Sequence, residues 1–300
     1  MPLVSEPVSV LAVLLSVLAG LFIFGGTPGG RKFFSRVPLL LFAYFVPTAL
    51  SNLGVIPSDP EFPLFEFIKN WLLPASLILL VLAVDLRGIF RLGKPAMALF
   101  FAGTLSIVVG GPIAYFLCSP LVPSEWGAEA WKGLAALAGS WIGGGANFVA
   151  IGESVGVDHA ILPLMVVVDV AIANAWMAVL LIFAGRERSM DESMGADRGT
   201  LEAVRESAES FARRTRRSPA LGDLLLMLAL GFGGTAAAWA LAPRLPEVGD
   251  IVSTFTWVVL LVTGFSLLLS VTRVRDLEGA GASTLGSVFL YLLVATIGAK

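Results

Sequence analysis

The chain has 300 residues, of which 57% are hydrophobic and 14% are charged, with a net charge of −2 and a mean hydropathy of +0.87. This composition excludes a soluble globular protein and predicts a polytopic membrane protein, because several apolar runs exceed the roughly 18 residues that cross a bilayer. With Cys118 as the single cysteine and His159 as the single histidine, the sequence excludes an internal disulfide and argues against metal clusters and thiol or imidazole catalysis.

The first half of the chain contains five ordinary apolar spans. Glu6 precedes the first span and Arg31 and Lys32 follow it, so we expect a retained helix whose N-terminus lies outside the cell rather than a cleaved signal peptide. Pro112 predicts a kink in the fourth span. The five spans lie at about residues 7–24, 37–55, 67–84, 95–117 and 160–184.

Between the fourth and fifth spans, residues 131–157 are apolar but do not form an ordinary membrane helix. They contain the sequence GSWIGGGANFVA at residues 139–150, and each of its three consecutive glycines costs about 1 kcal/mol relative to alanine in a helix interior. We therefore predict a broken, re-entrant segment whose tip, residues 143–147, lies near the bilayer midplane. The candidate substrate-binding or ion-binding residues are Ser140, Gly143, Gly144, Gly145 and Asn147. The alternative is close helix packing through small residues.

Asp169 lies in the middle of the fifth span. A carboxylate at this depth costs at least roughly 2.5 to 3.5 kcal/mol, so it should face the protein interior and have a partner or a proton. We favour coupling to Na⁺ or H⁺ at Asp169. The alternative is a structural hydrogen bond to the broken segment. Asn174 is a further candidate, with an equal case for helix packing, and we expect Glu153 at the outer surface.

The second half of the chain begins with a charged linker. Residues 185–219 hold eight arginines and seven carboxylates, and apolar spans resume at about residues 221–241, 251–269 and 283–297. We divide the chain into a first transmembrane repeat at 1–184, a cytoplasmic linker at 185–219 and an incomplete second repeat at 220–300. The mixed charges of the linker favour contact with anionic lipid over binding of nucleic acid.

The distribution of positive residues favours the re-entrant interpretation of residues 131–157. With a re-entrant segment, 16 Lys and Arg residues lie inside against 4 outside, whereas a full crossing gives 8 inside and 12 outside. The four outside residues are Lys69, Lys132, Arg244 and Lys300. The fold predicted is thus an all-α membrane protein with about eight crossings plus one re-entrant segment. An odd number of crossings before the linker inverts the second half, as in inverted-repeat transporters.

Three stretches together resemble the YjcL-like family of uncharacterised bacterial and plastid membrane proteins. They are GSWIGGGANFVA at residues 139–150, the helix at residues 169–176, and YLLVATIGA at residues 291–299. The resemblance implies membership of the cation:proton antiporter and anion transporter superfamily, and an inverted-repeat secondary transporter with one glycine-rich broken segment in each repeat. The family continues with a fourth helix, a second glycine-rich segment and a final helix, so we expect this chain to lack the second half-site.

Among function classes we favour a secondary transporter that couples Na⁺ or H⁺ to a small solute, an organic anion being one candidate. An ion channel with the glycine-rich segment as its filter is the alternative, as is a non-transporting scaffold. An enzyme is disfavoured, because Asp169 has no partner acid, base or nucleophile within the spans. We expect a multi-pass protein of the inner (plasma) membrane without a cofactor, surrounded by lipid, and a homodimer is compatible with the sequence.

Overall fold

A computed structural model describes residues 2–300 apart from 36, 92, 124–126, 128, 159, 185–208, 211, 212, 214, 250 and 251. The described residues form helices and no β-strand, with one isolated bridge between Val248 and Val252. Most of the linker, residues 185–219, and His159 lie outside the described residues.

Twelve α-helices make up the described part of the chain. They are α1 (Pro7–Gly26), α2 (Pro28–Phe34), α3 (Leu39–Asn52), α4 (Pro63–Leu82), α5 (Leu86–Arg91), α6 (Gly93–Cys118), α7 (Ala130–Gly143), α8 (Gly145–Ser154), α9 (Ile161–Ala184), α10 (Leu221–Leu241), α11 (Thr254–Ser270) and α12 (Ala282–Ala299). A π-helical turn, Ile68–Leu72, interrupts α4, and short 3₁₀ helices lie at Ser119–Leu121, Ala242–Arg244 and Arg273–Ala280.

The chain is a multi-pass membrane protein by the length and hydropathy of its helices. Six of them are long and apolar enough to cross a membrane, and the number rises to eight if two bent pairs are each counted as one span. The bent pairs are α2 with α3, and α11 with the 3₁₀ helix that follows it. The predicted count of about eight crossings lies within this range.

The helix boundaries follow local capping chemistry. The carboxylate of Glu6 accepts hydrogen bonds from the backbone N–H and the hydroxyl of Ser9, both at 2.8 Å, at the start of α1, where Pro7 occupies the first turn. Ser253 caps α11 together with Thr256. At Gly281 a left-handed backbone with φ of 96° separates the last 3₁₀ helix from α12.

Six of the helices form a large bundle around α4 and α12. These two pack on each other, and 61% of the residues in the most apolar stretch of each are buried. Helices α10 and α11 pack on α4, and helices α1 and α3 pack on α12. Polar contacts join α4 to its neighbours, since the Ser266 hydroxyl of α11 donates to the Ile78 carbonyl at 2.5 Å and the Trp239 indole of α10 donates to the Asn70 carbonyl at 2.8 Å.

Helices α6 to α9 form a second, smaller bundle, in which α7 packs on α6, α8 and α9. It joins the large bundle where α9 contacts α3 and where α8 contacts α11. The Thr256 hydroxyl of α11 donates to the Ser154 carbonyl of α8 at 3.3 Å. The outward surface of this bundle is apolar, and none of the stretch Met97–Leu121 is buried.

The molecule has two ends, which we name by one cation each. At the Lys69 end, Lys69 pairs with Glu153, and Lys132 donates to the Gly156 carbonyl. At the Arg275 end, Arg275 pairs with Asp85 at 3.3 Å. Helices α4 and α11 therefore run from the Lys69 end to the Arg275 end, whereas α10 and α12 run in the opposite direction.

Candidate functional site

Gly144 breaks the apolar segment that the sequence singled out. Its backbone has φ of 84° and ψ of −173°, a conformation that is essentially restricted to glycine. The Gly144 N–H donates to the Ser140 carbonyl at 2.6 Å and ends α7, while the Gly144 carbonyl accepts from the N–H groups of Asn147 and Phe148 and starts α8. The predicted break thus occurs at a single residue between two helices.

Small residues allow α7 and α8 to fold back on each other as a tight antiparallel pair, which we call the hairpin. Gly139 lies against the Ile151 side chain and the Asn147 carbonyl, and Gly143 lies against the Asn147 side chain. Further from the break, Ala136 approaches Gly152. The hairpin therefore combines both interpretations of this segment. The chain breaks at Gly144, and the helices on either side of the break pack closely on each other through small residues.

Both ends of the hairpin lie at the Lys69 end of the molecule. The Lys132 ammonium, near the start of α7, donates to the carbonyl of Gly156, which follows α8, at 3.3 Å. Lys132 also pairs with Glu129 at 3.0 Å. A segment whose two ends share one end of the molecule has the geometry expected for a re-entrant segment.

The candidate site forms where α9 passes the hairpin. The Ser140 hydroxyl donates to the Asp169 carboxylate, Oγ to Oδ2, at 2.7 Å, and both side chains are half-buried. Ser140 also supplies the backbone carbonyl that holds Gly144. One residue therefore connects the intramembrane carboxylate to the glycine break.

The remaining candidate residues divide into two groups. Gly143, Gly144 and Gly145 are exposed at the tip of the hairpin, and Asn147 is half-buried against Gly143. Asn174 does not join them: it is exposed, and its side-chain amide donates to the Val170 carbonyl of its own helix at 2.8 Å. The structure thus brings together Ser140, Asp169 and the tip, and it leaves Asn174 one helical turn further along α9.

An apolar cavity of about 500 Å³ lies between α6 and the hairpin. Gly139, the neighbour of Ser140, lines one wall, and Tyr115 and Trp131 lie nearer the Lys69 end. The Tyr115 hydroxyl donates to the Gly127 carbonyl at 2.9 Å, which fixes the ring. The cavity lies beside the arm of the hairpin that ends at the break, and its lining is almost entirely apolar.

Within the part of the chain that the structure describes, no group of three or more His, Cys, Asp and Glu side chains could hold a metal ion. Any cation at Asp169 would therefore have to be bound with hydroxyl and backbone oxygens in addition to the carboxylate. Ser140 and the last carbonyls of α7 are oxygens of this kind.

An ion pair that was not predicted from the sequence joins the two bundles. Lys69 lies in the π-helical turn of α4 and pairs with Glu153 at the end of α8 at 2.7 Å. The expectation that Glu153 would lie at the outer surface is wrong, since its side chain is only 2% exposed. A signal was present in the sequence, because Lys69 is a single cation inside an apolar span and such a residue needs a partner.

Comparison with known proteins gives a family and no solved structure. A family model described as "Protein of unknown function (DUF819)" matches residues 12–300. The chain is 24% identical to the "Uncharacterized membrane protein YjcL" of Bacillus subtilis (strain 168) over 309 aligned residues, which cover 98% of this chain and 73% of that protein. No solved structure matches the chain significantly.

Proposed function

Because the chain belongs to the DUF819 family of proteins of unknown function, we propose a function from its site: a secondary transporter in which Na⁺ or H⁺ at Asp169 is coupled to the movement of a small solute. The observation that carries the proposal is the 2.7 Å hydrogen bond between Ser140 and Asp169. It ties an intramembrane carboxylate to a helix break, and broken helices near the midplane are where secondary transporters bind ions and substrates.

The two helix ends at Gly144 suit ions of opposite charge. The last carbonyls of α7 have no partner within the helix and carry partial negative charge, so together with Asp169 and Ser140 they favour a cation. The first N–H groups of α8, at Gly145 and Ala146, carry partial positive charge and favour an anionic group of the solute. We therefore propose that the cation binds on the α7 side and that an organic anion binds on the α8 side.

The packing of the large bundle supports an inverted repeat. The helices α1, α3 and α4 correspond in this order to α10, α11 and α12. Helices α10 and α11 pack on α4 as α1 and α3 pack on α12, and α1 packs on α3 as α10 packs on α11. The two triplets also run in opposite directions, since α4 starts at the Lys69 end and α12 starts at the Arg275 end. We propose the repeats at 1–184 and 220–300, joined by the linker, and a place in the cation:proton antiporter and anion transporter superfamily.

The positions of the cations support an orientation in the membrane. Lys69, Lys132 and Glu153 lie at one end of the molecule, whereas Arg217 lies at the other, where its N–H donates to the Gly279 carbonyl. We propose that the protein lies in the inner membrane with its Arg275 end facing the cytoplasm. The reason is the positive-inside rule, by which Lys and Arg are in excess on the cytoplasmic side. Helix α1 then starts outside.

The experiment that tests the proposal is the thermal unfolding of the purified protein in Na⁺ or K⁺ and across pH. A ligand that binds only the folded state, at 100 times its Kd, adds about 2.7 kcal/mol to the free energy of unfolding. At each pH we expect Na⁺, in place of K⁺, to raise the unfolding midpoint of the wild type and to leave that of Asp169→Asn unchanged. A response of equal size in both proteins would refute Asp169 as the coupling site.

Ser140→Ala provides the second arm of the same experiment. Removing a hydrogen bond to a charged group costs about 1.5–3 kcal/mol when the pair is buried, and less here because both side chains are half-buried. We expect a weaker ion response with the fold retained. Ser106→Ala is the matched control, since the Ser106 hydroxyl is exposed and donates to the Gly103 carbonyl of its own helix, not to Asp169.

Counterflow in vesicles distinguishes a carrier from a channel. A carrier preloaded with its solute exchanges it for external solute, whereas a channel shows no such exchange. The candidate solutes are small organic anions, each assayed with and without a Na⁺ gradient and a pH gradient. Ion currents without exchange would favour the channel.

A further inference from the structure

A groove of about 620 Å³ opens at the Arg275 end of the molecule, between the starts of α10 and α12. Both helices pack on α4, and their side chains meet further along, where the ring centres of Phe232 and Phe289 lie 6.0 Å apart. The end of the linker, residues 215–217, and the end of the 3₁₀ helix, residues 278–280, complete the walls. The groove is therefore a gap between two membrane-spanning helices at one membrane interface.

Backbone contacts hold the end of the linker at this groove. The Arg217 N–H donates to the Gly279 carbonyl at 2.9 Å, and Gly279 lies directly against the Thr215 carbonyl, where a side chain would not fit. The Arg217 guanidinium also pairs with Asp223, in the first turn of α10, at 2.6 Å. The backbone of Arg216, between these anchored residues, is thereby fixed at the groove, and its side chain is exposed.

Among the described residues, Arg216 is the arginine of the groove that has no carboxylate partner. The Glu278 carboxylate accepts from the Ser283 N–H at 3.0 Å and from the Ser283 hydroxyl at 2.7 Å, so both of its oxygens are used at the start of α12. The Arg217 guanidinium is already paired, and Asp276 also acts on it electrostatically. No ion pair joins Arg216 to another residue that the structure describes, so an anion from outside the chain can approach it.

Apolar side chains of both helices line the same groove. Leu224 of α10 is 38% exposed, Val288 of α12 is 45% exposed, and Leu285 lies one helical turn before Val288. These three residues belong to spans that are long and apolar enough to cross a membrane, so the apolar wall is open to the hydrocarbon layer. A guanidinium beside such a wall matches the two parts of an anionic phospholipid, which are a phosphate at the interface and an acyl chain below it.

We propose that this groove is a binding site for an anionic phospholipid. The lipid phosphate accepts two parallel hydrogen bonds from the Arg216 guanidinium, and one acyl chain lies on the apolar wall. The exposed Thr284 hydroxyl, in the same lining, donates to the headgroup. A free phosphate would leave the apolar wall uncovered, and a zwitterionic lipid would bring no net charge to the arginine. The site is separate from Asp169 and does not depend on the proposed transport function.

Thermal unfolding of the purified protein in a neutral detergent, titrated with phosphatidylglycerol, tests the proposal. A ligand that binds the folded state raises the unfolding midpoint according to its concentration relative to its Kd. We expect phosphatidylglycerol to stabilise the wild type at lower concentrations than phosphatidylcholine, and inorganic phosphate to have no effect at those concentrations. Arg216→Gln should raise the apparent Kd for phosphatidylglycerol about fivefold, which is the contribution of one arginine near an anionic lipid surface.

Two further variants separate this groove from a general attraction of acidic lipid. Arg273→Gln removes an exposed arginine at the same end, outside the lining of the groove, and should leave the Kd unchanged. Val288→Phe fills the apolar part of the groove and should weaken binding although Arg216 is retained. Equal stabilisation of the wild type by the two lipids, or stabilisation by inorganic phosphate alone, would overturn the proposal. Undiminished binding of phosphatidylglycerol by Arg216→Gln or Val288→Phe, or an equal loss in Arg273→Gln, would overturn it as well.

Discussion

At the scale of single residues, Gly144 decides the shape of the site. Its positive φ and extended ψ place the end of α7 and the start of α8 at one point, and no neighbouring atom lies within 4 Å of the position where a Cβ would stand. Any penalty for a side chain at this position therefore comes from the backbone and not from crowding. Gly145, the next residue, is equally open and has no positive φ.

We expect Gly144→Ala to lower the free energy of unfolding by about 1–3 kcal/mol, because alanine rarely adopts this conformation. The matched control is Gly145→Ala, which should be neutral or stabilising by about 0.4–1 kcal/mol through the unfolded chain. Thermal unfolding in detergent measures both. Equal destabilisation by the two substitutions would contradict a special role for Gly144.

Individual site residues could be predicted from the sequence more readily than their partners. Three glycines within an apolar segment indicate a break, and a carboxylate in a span needs a partner, so Gly144 and Asp169 were both predicted as candidates. The bond between Ser140 and Asp169 joins residues 29 positions apart and depends on how the hairpin lies on α9, which no local pattern determines. The burial of Glu153 depends likewise on Lys69, which lies in another bundle.

At the scale of elements, close helix contacts in the large bundle depend on glycines that face a neighbouring backbone. Gly298 of α12 lies against the backbone carbonyl of Tyr44 in α3, and Gly286 lies against Leu79 and the Ser76 carbonyl of α4. A backbone cannot move aside as a flexible side chain can. These contacts therefore set the distances between α12 and its two neighbours.

We expect Gly298→Ala to cost about 1–3 kcal/mol, because a Cβ would overlap the Tyr44 carbonyl and force α12 away from α3. Gly264→Ala in α11 is the control, since no atom lies within 4 Å of its Cβ position and alanine favours a helix by about 0.5–1 kcal/mol. The comparison of unfolding midpoints checks this. A stabilised Gly298→Ala protein would mean that α12 and α3 are not in close contact.

The long elements follow from hydropathy, and their irregularities do not. The predicted spans at residues 7–24 and 221–241 match α1 and α10 closely, because a run of apolar residues leaves few alternatives to a helix. The separate helix α2 and the π-helical turn in α4 have no comparable signal. A π-turn depends on one extra residue being accommodated by neighbouring helices, which is a property of the packing.

At the scale of the whole molecule, two bundles meet through a few polar contacts at the Lys69 end. The contacts are the Lys69 to Glu153 pair and the Thr256 to Ser154 hydrogen bond. The distribution of positive residues in the sequence assigns Lys69 and Lys132 to the outside and the arginines of the linker to the inside. The structure places Lys69 and Lys132 at one end of the molecule, and Arg217 and Arg275 at the other. The sequence alone could not show the two bundles, because the division depends on which helices pack on each other, and those contacts join residues far apart in the chain.

Cysteine labelling from each side of the membrane tests the orientation of these ends. In a Cys118→Ser background, which removes the single native cysteine, we expect Arg216→Cys to react with impermeant reagents only from the cytoplasmic side and Asp158→Cys only from the outside. Both positions are exposed and lie at opposite ends. Labelling of both residues from one side would rule out the two-ended topology, and the reversed pattern would invert the proposed orientation.

The hairpin also constrains how the protein is made. A segment that turns back at Gly144 cannot be released into lipid by the translocon as a finished span, since the backbone groups freed at its tip would meet no partner there. Its polar partner, Asp169, belongs to a helix synthesised later. From the proposed re-entrant arrangement we expect residues 130–154 to stay beside the insertion machinery until α9 has entered the membrane, so that the contact between Ser140 and Asp169 forms after insertion.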